Sequence, residues 1–125
     1  MGIKLIKISV IYFVIGVLLG YHMSVATDYS LTPIHVHINL LGWTSMTLAG
    51  ILYVMFPKAE QSMLGKIHFW THNIGLPLMM LGLYFTILGI DSAVVPLMLI
   101  IGSTLVVLAV LVFAFNVFKN VKAGE

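Results

Sequence analysis

The stretch His35-Val36-His37-Ile38-Asn39-Leu40-Leu41-Gly42-Trp43 opens a run that is otherwise apolar as far as Phe56. Two imidazoles, an amide and an indole thus stand at the start of a segment long enough to cross a bilayer, for which about 20 apolar residues suffice. Polar and ionisable groups are expensive in hydrocarbon, so inside a span they mark a functional site by default. The stretch sets two expectations at once: a transmembrane helix, and a helix that presents histidines.

The composition agrees. The 125 residues are 61% hydrophobic and 8% charged, whereas a soluble domain carries about 25% charged residues. A chain this short cannot bury so much apolar surface in water, because small domains bury the smallest fraction of theirs. Apolar runs at about 3–21, 34–56, 67–90 and 94–118 predict a single-domain, all-α integral membrane four-helix bundle. The runs lack the period-two alternation of barrel strands. Thr32-Pro33 reads as a cap followed by proline at the first helical position. Asp91 or Ser92 reads as the cap of the fourth helix, Pro57 as the end of the second, and Pro77 as a kink in the third. Lys4, Lys7 and the small residues Ser24-Val25-Ala26 imitate a secretory signal; the start at Met1 favours a retained first span.

All six basic residues are lysines: Lys4, Lys7, Lys58, Lys66, Lys119 and Lys122. With the N-terminus inside, five fall in residues 1–4, the loop 57–66 and the tail after Phe118, and Lys7 is close enough to snorkel. The outer loops carry only Asp28 and Asp91 as charges. The positive-inside rule then places both termini in the cytoplasm, in a multi-pass protein of the cytoplasmic membrane. No basic face offers a nucleic-acid footprint. The absence of cysteine excludes disulfides, iron–sulfur ligation and c-type haem attachment.

This topology divides the histidines. His22, His35 and His37 fall near the outer surface, and His68 and His72 near the inner one. His37 lies about 5 Å into its span and His72 about 8 Å into its own, at 1.5 Å per residue. In a core about 30 Å thick they are separated by roughly 17 Å of depth, too far to share one haem between helices. His35 and His37 are two apart and diverge by about 200° on a regular helix, so they serve opposite flanks. His68 and His72 are four apart on one face, a chelating spacing for zinc or copper that still lacks further ligands. His22 is a supplementary ligand candidate or an interface residue. Gly16 and Gly20 form G-x-x-x-G, and Gly75, Gly82 and Gly89 recur every seven residues. Both patterns read as close-packing surfaces. The eight methionines are scattered and fit apolar filler.

The run His37-Ile38-Asn39-Leu40-Leu41, with Trp43 nearby and Tyr53 to Pro57 closing the helix, resembles the second transmembrane helix of subunit I in the haem-copper oxidase superfamily. Its nitric-oxide reductase branch is the closest. Small four-span proteins resembling that subunit carry the run seen at His35 to Trp43, then the one at His68-Phe69-Trp70. The resemblance implies b-type haem with His37, and by analogy His35, as axial ligands, and Asn39 and Trp43 beside them. It implies electron transfer or binding of a diatomic gas (O2 or NO). The copper site of the full-length family, with its adjacent histidine pair, has no counterpart here, so a complete oxidase turnover is not expected. The large subunit groups its helices in fours around an approximate threefold axis. By that likeness, three copies of this chain would form a homotrimer, with His37 of one copy facing His35 of the next across one haem. Gly16/Gly20 or the Gly75/Gly82/Gly89 stripe would supply the contacts.

Two other readings stay open. One is a copper- or zinc-binding or transport protein using His22, His35 and His37, or His68 and His72. The other is a cofactor-free accessory subunit of a respiratory complex. The electron donor, a protein or a quinol, is not encoded in any motif.

Overall fold

The computed structural model describes residues 1–124, and among them it is helical with no strand. Helix α1 spans Gly2–Ala26, α2 Thr32–Met55, α3 Pro57–Gln61, α4 Met63–Ile87 and α5 Val94–Asn120. Three of these, α1, α2 and α5, are long and apolar enough to cross a membrane. The fourth long helix, α4, has 25 residues. Its length matches α1, but Lys66, His68, His72 and Asn73 interrupt its apolar character. The four-run pattern therefore becomes three apolar helices and one of similar length whose histidines are turned inward: His68 and His72 are each only 2% exposed.

The helix ends shift from the expected positions by a few residues. Thr32 is the first residue of α2 and its hydroxyl bonds back to the Tyr29 carbonyl, so Leu31 takes the cap position. Ala93 occupies the cap position of α5, while the Ser92 hydroxyl accepts the Val94 N–H. Pro57 ends α2 as expected and starts the short α3. Helix α4 runs unbroken through Pro77, and the Ser62 hydroxyl caps it by accepting the Gly65 N–H.

The helices form two hairpins, α1 with α2 and α4 with α5, joined by α3. Helix α2 is α-helical over Thr32–His37 and Ser45–Met55 but π-helical over Ile38–Thr44. The reason is visible in its contacts with α1. Going down α2, His35 packs on Gly20, Asn39 on Gly16, Gly42 on Tyr12, Thr47 on Ser9, Gly50 on Ile6 and Val54 on Gly2. The α2 positions step by four, three, five, three and four, while the α1 positions step by four, four, three, three and four. A regular α-helix returns to one face every three or four residues. Over this ladder α2 uses one residue more than α1, the extra residue that the π segment Ile38–Thr44 contains, and it keeps both halves of α2 on α1.

The small-residue surfaces are consumed inside the chain. Gly16 and Gly20 admit Asn39 and His35. Gly75 and Gly82 lie against Leu105 and Leu99 of α5, and Gly102 against the Met79 backbone. Gly89 belongs to the turn after α4, with φ +73°, and is not on the stripe. The expectation that these glycines form contacts between copies is thereby corrected: they close the two hairpins.

The start of α1, the end of α2, α3, the start of α4 and the end of α5 meet at one end of the bundle. Glu60 accepts the Met1 ammonium at 2.6 Å and the Gly2 N–H at 2.8 Å. Asn116 of α5 donates to the Ala59 carbonyl. Five of the six lysines belong to these segments and Lys122 follows α5 directly, whereas Asp28 and Asp91 belong to the connections at the other end.

Two outcomes follow from this packing. Gly102→Val should destabilise the α4–α5 hairpin by about 1–3 kcal/mol, because overfilling a close-packed contact forces side chains and backbone apart; unfolding in mild detergent measures it, with Ile101→Val, on an exposed side chain, as the neutral control. Glu60 is held below the ordinary carboxylate range, first by its hydrogen bond from the N-terminal ammonium and then by the Gly2 N–H. Its contribution is complete above the ordinary carboxylate value and is lost as pH falls through the depressed one. The unfolding midpoint should therefore drop on acidification in the native chain, and drop less steeply in Glu60→Gln.

Candidate functional site

His35 and His37 lie on the α-helical first turns of α2. His37 is half-exposed, and its Nδ1 lies 2.6 Å from the Pro33 carbonyl. A carbonyl only accepts, so Nδ1 carries the hydrogen and Nε2 keeps a lone pair. His35, also half-buried, donates from Nδ1 to the Gly16 carbonyl at 2.8 Å. Its Nε2 also keeps a lone pair, but the Asn39 Nδ2 lies 3.4 Å away. The two rings leave the helix toward different surroundings: His35 packs on α1 and His37 bonds only within its own turn. Trp43 stacks on Phe13, with ring centroids 4.5 Å apart. His22 is exposed near the end of α1.

His68 and His72 belong to a continuous chain of hydrogen bonds. His72 Nε2 lies 2.9 Å from the Leu41 carbonyl, so Nε2 carries the hydrogen and Nδ1 of the neutral ring accepts. His68 Nε2, 3.2 Å from that Nδ1, must donate to it. His68 Nδ1 then accepts from the Tyr53 hydroxyl at 2.8 Å. The Tyr53 oxygen faces Asn116 Nδ2 at 3.5 Å, and the same amide donates to the Ala59 carbonyl at 3.0 Å. One fixed end, the Leu41 carbonyl, thus sets the direction of every hydrogen from α5 through α2 and α4 and back to α2. Tyr53 and Asn116 are fully buried, and Phe113 lies 4.8 Å from His68, centroid to centroid.

A cavity of about 180 Å³ adjoins this chain, lined by Ser45, Leu48 and Ala49 of α2, by His68 and His72, and by Val110 and Phe113 of α5. Its polar atoms are already paired. The Ser45 hydroxyl donates to the Leu40 carbonyl at 2.7 Å, and all four nitrogens of the two imidazoles are engaged. The structure does bring His68 and His72 together, as their spacing suggests. Among the described residues, however, no group of three or more histidine and acidic side chains gathers as a metal site.

Comparison with protein-family models, with curated proteins and with solved structures finds no match to the chain. The class of the protein is therefore what the helices define: an all-helical membrane protein with a polar chain sealed in one half and two histidines near the surface of the other.

Three participants escape a reading of the sequence by histidines alone. Tyr53 reads as a helix-closing or core residue. Asn116 is an amide in an otherwise apolar run, and the cost of polar groups in spans is the signal that identifies it. The π turn leaves no composition signal. If the chain is as described, ¹⁵N NMR of histidine-labelled protein should show both inner rings neutral with hydrogen on Nε2. Tyr53→Phe should cost about 1–3 kcal/mol of stability, the range for leaving a buried partner unsatisfied, since His68 Nδ1 loses its donor.

Proposed function

We propose that the protein is a membrane b-type haem protein whose iron is ligated at the outer end of α2 by His37. One observation carries this reading: His37 gives its Nδ1–H to a backbone carbonyl and leaves the Nε2 lone pair on a half-exposed face. Metal-ligating histidines are oriented in this way, with the second nitrogen donating to a carbonyl or carboxylate. Haem bound there supplies a one-electron centre or an iron position for O2 or NO. Asn39 and Gly16 hold the His35 ring on the opposite flank, against α1, and Trp43 is anchored on Phe13 further along the helix. The lysine end is cytoplasmic by the positive-inside rule, which turns the His37 end outward, toward an electron-donor protein or a quinol.

Within one chain the His35 ring is committed to α1, so a second axial ligand comes from His22 or from another copy. A homotrimer about the membrane normal places equivalent helices at equal depth and allows a shared site. Its contacts would use the exposed apolar faces of α1 and α5, since the glycine surfaces are occupied. A copper or zinc site at His68 and His72 is less well supported, because a cation there would have to break a hydrogen bond of each ring and finds no third histidine or acidic ligand among the described residues.

The purified protein should show a Soret band with sharp α and β bands on reduction and about one haem per chain. His37→Ala should lose most of it, since an imidazole supplies the axial bond. A chain purified with a haem supply that carries no haem, or that keeps a full complement in His37→Ala, would refute the assignment.

A further inference from the structure

The π turn and the inner histidines meet at a single carbonyl. In a continuous α-helix the Ser45 N–H would bond to Leu41, four residues back. Here it bonds to Leu40, five residues back, and the Ser45 hydroxyl donates to that same Leu40 carbonyl at 2.7 Å. The Leu41 carbonyl, deprived of its α-helical donor, takes the His72 Nε2–H instead. Inside a span no water is at hand to replace a missing partner, so one of these two donors must serve it.

We propose that His72 is a positioning residue for the outer histidines: by occupying the Leu41 carbonyl it holds the π turn open and thereby sets the rotation of the segment bearing His35 and His37. Without that donor, Ser45 N–H returns to Leu41 and the extra residue of the π turn is wound into the α-helix. One residue is about 100° of helix rotation and 1.5 Å of rise. The upper contacts, His35 on Gly20 and Asn39 on Gly16, are then out of step with the lower ones, Thr47 on Ser9 and Gly50 on Ile6. Because α4 and α5 hold Ser45–Met55 through Tyr53, the half that turns is the outer one. His72 thus controls the direction of His37 Nε2 without touching it. The register itself is independent of any cofactor; its consequence for haem rests on the function proposed above.

The test uses the full chain, ¹³C,¹⁵N-labelled, in lipid nanodiscs, with NMR correlations between the Ser45 amide and the Leu40 and Leu41 carbonyls. In the native protein Ser45 pairs with Leu40, and His72 Nε2 with Leu41. In His72→Phe the Ser45 correlation moves to Leu41 and the hydrogen bond of His35 Nδ1 to Gly16 is lost. His72→Gln, whose amide nitrogen reaches about as far as Nε2, keeps the native pattern. Haem affinity falls about tenfold or more in His72→Phe, the scale on which misorienting a ligating histidine acts, and recovers in His72→Gln. Native protein without the His72–Leu41 pairing overturns the proposal. So does an unchanged Ser45–Leu40 pairing in folded His72→Phe, or Ser45–Leu41 pairing in His72→Gln, which decides the matter if His72→Phe does not fold. Native protein that shows these pairings but carries no haem refutes the haem assignment alone.

Discussion

The hydrogen bond from His72 Nε2 to the Leu41 carbonyl is the constraint on which the rest of the molecule depends. In hydrocarbon each backbone polar group needs a partner from the protein itself, and the π turn of α2 denies Leu41 its usual one. The imidazole that replaces it must carry a hydrogen on Nε2, which in the neutral ring leaves Nδ1 as an acceptor. That choice dictates the tautomer of His68, the orientation of the Tyr53 hydroxyl and the donor role of Asn116. A local change of helix pitch in one span is thus paid back by side chains from two others.

The same chain joins the hairpins. Each hairpin closes tightly by itself through glycines, Gly16 and Gly20 on one side and Gly75, Gly82 and Gly102 on the other. Between the hairpins the cavity beside Leu48 and Ala49 leaves room that apolar side chains do not fill. Lipid tails offer helices no hydrophobic reason to associate, so small-residue packing and hydrogen bonds between helices carry the assembly. Tyr53 to His68, His72 to Leu41 and Asn116 to Ala59 supply that connection. The half of the bundle that holds this chain is consequently saturated, with no buried side-chain nitrogen or oxygen atom left unpaired among the described residues. The other half keeps a half-exposed imidazole, His37, whose Nε2 is free of its own helix turn.

Much of this was legible in the residues. Apolar runs marked the long helices, and the lysines marked one end. The spacing of His68 and His72 placed them on one face, and that of His35 and His37 separated them. Two things were not legible. A π turn depends on the contact ladder between α1 and α2, which is known only when Gly42 is seen on Tyr12 and Thr47 on Ser9; nothing in Ile38-Asn39-Leu40-Leu41-Gly42-Trp43-Thr44 requires it locally. The destination of the glycines was equally hidden, because G-x-x-x-G states that a helix is approached closely and not by which chain. Asn116 was legible in principle, as an amide within the fourth apolar run, by the same rule that singled out the histidines.

The proposed division of labour between a sealed inner chain and an outer ligand comes down to one atom. Pulsed electron paramagnetic resonance of the ferric haem protein, prepared with histidine ¹⁵N-labelled at Nε2 alone, reads which ring nitrogen touches the iron. The account predicts a directly coupled ¹⁵N, because Nδ1–H of His37 is held by the Pro33 carbonyl, and predicts its loss in His37→Ala. Iron coupled only to unlabelled nitrogen on the histidine side, or a coupling that survives in His37→Ala and disappears in His72→Ala, would contradict it.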